Sequence, residues 1–334
     1  MSNARITTFL CSAIAGLSIS LYSIQPQVYG IDITEIENDT FVETAPLIEE
    51  GMEITCEVNA AILYSHGDVQ FKYSEPPWSS KLNYPLDGYL VEVSAKTKLQ
   101  FPLGRSSASV AIRGSIAQDI SVKGDVTDSD YQYDYRWGYS EHDGKADVSI
   151  WDIDCLFSVR PFTWSDSDIV KSMEAGMIIG YGEQSFDFLV TDGWGRYYNQ
   201  EENFSGHIAT YDTTFSGFRL GPYFQCQPIP ELSLRIEAIL IPNLEANSDA
   251  YWILREYRFW QIADGTGTSI GIMGTYKIID HLYVFAGFRW VCLDADENGR
   301  ESGVEGDYSY TDLPIVPYIS AEYSSLQFGL RADF

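Results

Sequence analysis

The chain has 334 residues, with 48 Asp and Glu against 21 Lys and Arg, for a formal net charge of −27. Binding to a phosphate backbone rests on Lys and Arg, so nucleic acid is excluded as a partner. Aromatic residues make up 14% of the chain, yet no window approaches the run of about 18 apolar residues that a membrane-spanning helix needs.

Residues 1–30 hold one charge, Arg5, followed by the small and apolar run ITTFLCSAIAGLSISLYS and then QPQVYG, with Val28 and Gly30 at the small-residue cleavage positions. This is the pattern of a secretory signal peptide removed after Gly30. Phe9 and Leu10 precede Cys11 where small residues usually precede a lipidated cysteine, which speaks against a lipoprotein. Residues 31–51 read as an acidic periplasmic lead-in: 31–50 carry seven acidic and no basic side chains and show no strand period.

From Met52 the chain alternates with period two. In YLVEVSAKTKLQF, Glu92, Ser94, Lys96, Lys98 and Gln100 share one parity, and Val91, Val93, Ala95, Thr97, Leu99 and Phe101 the other. The pattern returns around Val110, Ile112 and Ile116 against Arg113 and Ser115, and in WDIDCLFSVR, where Ile153, Cys155 and Phe157 oppose Asp152, Asp154 and Arg160. One face of each strand is apolar and the other charged. A soluble sandwich rarely places charges so regularly opposite its core, whereas a transmembrane barrel sets an apolar face to lipid and a polar one to its lumen.

Such runs cover 52–65, 84–101, 106–122, 145–161, 172–190, 208–227, 231–246, 257–277, 281–294 and 314–334. The predicted fold is therefore all-β: a transmembrane, antiparallel, up-and-down β-barrel of about ten strands over residues 52–334, located in the cell outer membrane and in contact with its lipid. Short links such as FPLGRS, QPIPE and KIIDH face the periplasm, with the longer TWSDSDIVKSME on the same side. Four long extracellular loops are expected over 65–83, 122–145, 188–206 and 294–312. Their acid gives the outer rim a negative field, which either serves solvation or attracts cations or cationic peptides.

A barrel of this size is little wider than one filled by its own side chains. Lumen residues Glu92, Lys96, Lys98, Arg113, Asp152, Asp154, Arg160 and Arg235 are expected to pair and plug it. In the last strand, LQFGLRADF alternates to a terminal Phe334, but Glu322 falls on the apolar parity. Either the register slips near Ser324 and Ser325, or that part of the barrel stands clear of lipid. Cys56, Cys155, Cys226 and Cys292 all share parity with apolar residues on separate strands, which predicts free thiols on the lipid face.

Two motifs carry possible chemistry. DADENGRESGVE places Asp294, Asp296, Asn298, Gly299 and Glu305 at calcium-loop positions, predicting a Ca²⁺ site built from Asp294, Asp296, Asn298 and Glu305. Against it, Glu301 stands where an apolar residue is usual and the flanks are strands. DGWGRYY, Asp192 to Tyr198, is an aromatic loop tip that either packs the rim or meets a substrate.

In chain order, SKLNYPLDGYLVEVSAKTKLQFP, GDVTDSDYQYD and YSEHDGKADVSIWDIDCLF, followed by AGMIIGYGEQSFDF and ISAEYSSLQFGLRADF, resemble the omptins, the ten-stranded outer-membrane proteases. Porin-like outer-membrane proteins of chlamydia-related bacteria are a second resemblance. The first implies an Asp pair facing an Asp–His pair across a groove at the mouth, with a water between them as nucleophile. Asp128 and Asp130 match the first pair and Asp249 the aspartate of the second. Two residues beyond Asp249 stands Tyr251, and His66, His142, His207 and His281 all lie elsewhere. His142 matches a histidine of the third-strand loop, and His207 is the remaining candidate base.

Loss of a general base costs a factor of about 10² to 10⁴. Tyr, with an ordinary pKa of about 10, is a poor substitute. The favoured reading is thus an omptin-like barrel without protease activity, in a binding or pore-like role, with Asp128 and Asp130 as hydrated carboxylates or a cation site. An omptin-type aspartyl endopeptidase and a narrow cation-preferring porin are the alternatives.

Overall fold

A computed structural model of the protein describes residues 52–75, 77–103, 106–133, 135–160, 172–198, 200–253, 256–314 and 318–334. The expected signal peptide, the acidic lead-in and most of TWSDSDIVKSME lie outside the described residues. The segments are β1 (Glu53–Glu75), β2 (Trp78–Pro85), β3 (Gly88–Leu103), β4 (Ser106–Gln132), β5 (Tyr135–Arg160), β6 (Ser172–Tyr197), β7 (Gln200–Ile229), β8 (Leu232–Trp252), β9 (Tyr257–Ile279), β10 (Leu282–Glu305), β11 (Tyr308–Leu313) and β12 (Tyr318–Asp333).

All pairings are antiparallel. β2 and β3 both lie between β1 and β4, so they form one stave interrupted at Leu86 and Asp87. β11 and β12 likewise share the flank of β10. Ten staves result, and β1 pairs with β12 to close the cylinder. The terminal residue takes part: Phe334 N–H donates to the Cys56 carbonyl at 2.8 Å, and Cys56 N–H to the Phe334 carbonyl at 3.1 Å. Closure pairs the first stave with the last along the lower barrel, as a lipid environment requires.

The staves are longer than the sequence pattern suggests. β4, β5, β6 and β7 run for 27, 26, 26 and 30 residues, against the roughly 9–11 that cross a bilayer. The four stretches expected as long loops are, for most of their length, the upper parts of strand hairpins. The reason lies in a change of sense along each strand. Low in the barrel, Ile62, Ile112, Ile179, Leu240, Ile272 and Phe328 stand exposed on the outside. This belt ends at an aromatic girdle in which Tyr64 meets Tyr89 at 5.3 Å and Tyr181 meets Trp151 at 5.9 Å and Phe218 at 5.5 Å. Above the girdle the apolar face turns inward, with Phe71, Tyr84, Phe186, Phe188, Tyr211 and Phe215 buried. Each such ring contributes about 1.5–3 kcal/mol by leaving water.

Glu322 belongs to this upper tier. Its register with Asp68 and Cys292 is unbroken past Ser324 and Ser325, and it accepts a hydrogen bond from Trp290 Nε1 at 3.2 Å. The register therefore does not slip there, and Glu322 stands exposed on the outer wall. All four described cysteines are free thiols.

Below the apolar tier the lumen is crossed by paired charges, with a cavity of about 230 Å³ among those at its lower end. Arg113 meets Asp154 at 2.6 Å and Glu237 at 3.1 Å, and Arg219 meets Asp154 at 3.1 Å and Asp152 at 3.4 Å. Arg289 pairs with Glu92, Arg235 with Glu237, Lys96 with Glu57, and both Lys98 and Arg160 with Glu174. Every lumen residue singled out by parity takes part.

Outside the upper tier, Asp147, Asp187, Asp212 and Asp249 are consecutive register partners across β5 to β8. Cations sit at the ends of this row, Lys145 on Asp147 and Arg258 on Asp249. Burial, opposed by a bond from Ser185 and reinforced by Asp147, raises the Asp187 carboxyl above its ordinary range; burial with Asp187 and Asp249 does the same to Asp212. A raised carboxylate imposes no penalty below its unfolded pKa, and the full penalty once pH exceeds its folded value. Asp187→Asn is expected to stabilise the barrel at pH 7 by about 0.2–1 kcal/mol, the size of a like-charge cross-strand pair. The gain should vanish below about pH 3, where both states are protonated. Thermal unfolding in detergent micelles at the two pH values checks this; an equal gain at both removes electrostatics as its cause.

Candidate functional site

A cavity of about 440 Å³ lies at the mouth of the barrel, above the apolar tier. Tyr84 from β2, Phe204 from β7 and Trp252 from β8 line it, together with Tyr197 and Tyr198 at the β6–β7 turn. Trp137 joins them through a bulge. The β4–β5 register passes from Asp130 opposite Gly138 to Tyr131 opposite Arg136, so residue 137 is the extra one. Its indole stacks on Tyr198 with centroids 4.9 Å apart. Its Nε1–H is buried and meets no acceptor among the described residues.

The polar lining is Asp128, Ser140, His142 and Glu202. Asp128 and Ser140 are direct register partners on β4 and β5. Both point inward, and both are buried. The Ser80 hydroxyl donates to Asp128 Oδ1 at 3.2 Å. Burial, with the Asp128 charge second, holds the Tyr84 phenol far above its ordinary pKa, so it stays protonated.

His142 sits two residues beyond Ser140, on the same side of the strand. Its Nδ1 lies 3.2 Å from the Asp192 carbonyl oxygen and its Nε2 2.9 Å from Ser140 Oγ. A carbonyl only accepts, so Nδ1 carries the proton and Nε2 accepts from the serine. Burial lowers the His142 pKa, against smaller opposing effects of the Asp192 bond and Asp143. The ring is neutral at neutral pH.

The structure brings Asp128 and Asp130 to one inward face of β4 and leaves Asp249 outside. Asp128 is 8% exposed and Asp130 half-buried, and both stand on strand β4 and not on a loop. Asp249 points to the outer surface, where Arg258 donates to it from Nε at 3.0 Å and Nη2 at 2.5 Å. The cause is a bulge at Pro242 and Asn243, which adds one residue to β8 relative to both β7 and β9. Beyond it Leu244, Ala246, Ser248 and Ala250 take the inward positions, and Asp249 and Tyr251 the outward ones. The expected three-carboxylate set is thus divided between two faces of the wall. His207 is exposed, while its neighbours Ile208 and Ala209 line the cavity. His281 lies at the opposite end, in the β9–β10 turn.

The calcium-loop stretch is also placed differently from its expectation. Asp294 to Glu305 runs along β10 as strand, with register shifts between Ala295 and Arg300. Eleven extended steps separate its ends by on the order of 30 Å, so Asp294, Asp296, Asn298 and Glu305 do not converge. Asp294 accepts from Tyr318 at 2.7 Å, and Asn298 donates to Asp264 at 3.0 Å. Among the described residues no group of three or more His, Cys, Asp or Glu could hold a metal ion.

Sequence reasoning passed over Ser140, Trp137, Glu202 and Trp252. A signal existed for the first, since Ser-x-His on a period-two strand puts both side chains on one face. For Trp137 none existed, because a bulge places it.

No protein-family model matches the chain, and no curated protein matches it. Among solved structures it is similar to the outer membrane protease OmpT from Escherichia coli, with a TM-score of 0.66 and 12% identity over 84% of this chain and 97% of that one. It is more distantly similar to the translocator domain of the autotransporter NalP from Neisseria meningitidis, with a TM-score of 0.31 and 12% identity over 84% of this chain and 88% of that one. The first likeness shows the fold: this chain is an omptin-like outer-membrane-type β-barrel.

Proposed function

We propose that the protein is an integral outer-membrane barrel, closed to conduction, that captures organic cations in the aromatic and acidic cavity at its extracellular mouth. The carrying observation is the vertical order of the interior: paired charges below, an apolar tier above them, and a 440 Å³ cavity open beyond both. An apolar belt below an outward-polar upper tier supports the bilayer setting, with the mouth standing clear of lipid. A cation over an indole or phenol face gains about 0.5–2 kcal/mol. Asp128 and Glu202 add charge of the right sign, and a net charge of −27 draws cations toward the rim. A ring-bounded site with two carboxylates suits a guanidinium or an alkylammonium group on a peptide or a small molecule.

Proteolysis by a water held between facing carboxylates is less well supported, since Asp249 stands on the outer wall. The porin alternative is opposed by the paired lumen. Titration of tryptophan fluorescence with tetramethylammonium, and with an Arg-containing peptide, tests the reading. Saturable quenching is expected for the cations and not for the neutral isostere 3,3-dimethylbutanol, and it should weaken at least about tenfold in Trp137→Ala, the loss of roughly 1.4 kcal/mol of contact. Equal response to the neutral compound would defeat cation recognition. Stepwise current across a planar bilayer would favour the porin instead.

A further inference from the structure

We propose that Ser140 and His142 form a nucleophile–base pair that hydrolyses carboxylic esters within the mouth cavity. The proposal uses the cavity but not its preference for cations, so it stands or falls separately from the binding reading. An alcohol becomes a useful nucleophile when a base accepts its proton and a third group fixes that base. Nε2 stands 2.9 Å from Ser140 Oγ, inside the working range of roughly 2.6–3.2 Å, and is the unprotonated nitrogen.

The third group is the backbone carbonyl of Asp192, and the chain is strained to supply it. Asp192 has φ +35° and Gly193 φ +149°, both in the region L side chains avoid. Here the β5–β6 register passes from His142 opposite Gly193 to Asp143 opposite Thr191, so Asp192 is the extra residue. The Asp192 carboxylate is itself anchored, accepting from Gly206 N–H at 2.8 Å. Phe204 packs on the imidazole at 5.4 Å. A strained, anchored segment whose carbonyl meets a histidine nitrogen is a device for holding one tautomer in one orientation.

Access and charge stabilisation come from the same cavity. Ser140 and His142 both line it, and they are 1% and 9% exposed, so a substrate must enter the cavity and cannot react at the rim. The Trp137 Nε1–H, buried at this cavity without an acceptor among the described residues, is the donor assigned to the developing oxyanion. The volume and aromatic lining suit a small ester with an apolar acyl group.

In the first step Ser140 Oγ bonds to the acyl carbon, its proton passes to His142 Nε2, and the carbonyl electron pair moves onto oxygen. Collapse breaks the carbon–alkoxy bond, and the departing alcohol takes the proton from Nε2. Water then adds to the acyl-serine, giving its proton to Nε2. The carbon–Oγ bond breaks, Oγ recovers that proton, and a carboxylic acid leaves.

The test is covalent labelling of full-length, folded protein in detergent micelles by a neutral fluorophosphonate, read by intact mass and peptide mapping, beside turnover of p-nitrophenyl butyrate. One adduct on Ser140 is expected, absent in Ser140→Ala and slowed about 10²-fold or more in His142→Gln. Folding of each variant is read independently from the heat-dependent gel mobility of the barrel. The wild type needs no variant to be decisive: folded protein that takes no label and turns over no ester overturns the proposal. Labelling that persists in folded Ser140→Ala does the same.

Discussion

Asp154→Ala is expected to cost the barrel about 3–5 kcal/mol, the loss typical of breaking a buried ion pair from one side. Asp154 is fully buried and receives Arg113 Nη2 at 2.6 Å, Arg219 Nε at 3.1 Å and Arg219 Nη2 at 3.4 Å. Both arginines keep second partners, Glu237 and Asp152, so neither is abandoned outright. What disappears is the carboxylate that lies between them, and with it the screen against repulsion of two enclosed guanidinium groups. The neighbouring stave is adapted to that carboxylate: a side chain at Gly180 would collide with Asp154 Oδ1 and the Ile153 carbonyl. Urea midpoints in detergent micelles measure the effect. Asp154→Asn, which keeps shape and one acceptor, should lose less. A change within 0.5 kcal/mol (an order-of-magnitude threshold for uncoupled surface sites) for Asp154→Ala would mean that the lumen charges do not act as a network. Asp187→Asn, on the outer wall, carries the opposite sign; residue type alone predicts neither.

The contrast marks what is legible in the sequence. Around Glu92, Lys96, Arg113 and Asp154 the polar parity faces a low, narrow lumen and the apolar parity faces outward, so alternation alone identifies barrel, lumen charges and unpaired thiols. Higher up, the same alternation continues with its sense reversed. Val126, Asp128 and Asp130 share the inward face of β4 within GDVTDSDY, a stretch whose glycine and acid resemble a loop. Position on a face then depends on bulges, and one added residue turns every later side chain over. The extra residue at Pro242 and Asn243 sends Asp249 outward, and the one at Trp137 turns an indole into the cavity. Neither changes composition or spacing. The calcium-loop match fails for a related reason, since spacing along a chain fixes a coordination sphere only if the backbone curls, and here it is extended.

Gly193→Ala is expected to abolish the His142 arrangement while leaving the barrel assembled. A Cβ at 193 would overlap both the Glu141 carbonyl and His142 Nδ1, and φ +149° is a conformation an L residue resists. The backbone cost is about 1–3 kcal/mol, which a closed ten-stave barrel should survive. The imidazole and the adjoining β5–β6 backbone at Glu141 must both give way. The imidazole Nδ1 then leaves the Asp192 carbonyl and its Nε2 leaves Ser140. Two readouts follow. The ring ¹⁵N shifts should lose the single Nδ1–H form, and the pKa should rise toward its ordinary value as burial, its largest cause of depression, is relieved. Fluorophosphonate labelling should fall about 10²-fold or more, as for loss of the base itself. Gly306→Ala separates strain from collision: Gly306 has φ +57° but nothing within 4 Å of an added Cβ. It should lose only the stability that backbone strain costs and retain the His142 signals and the labelling rate. If Gly193→Ala keeps both signals, the strained turn at Asp192 does not orient the base, and the hydrogen bond between Ser140 and His142 is packing alone.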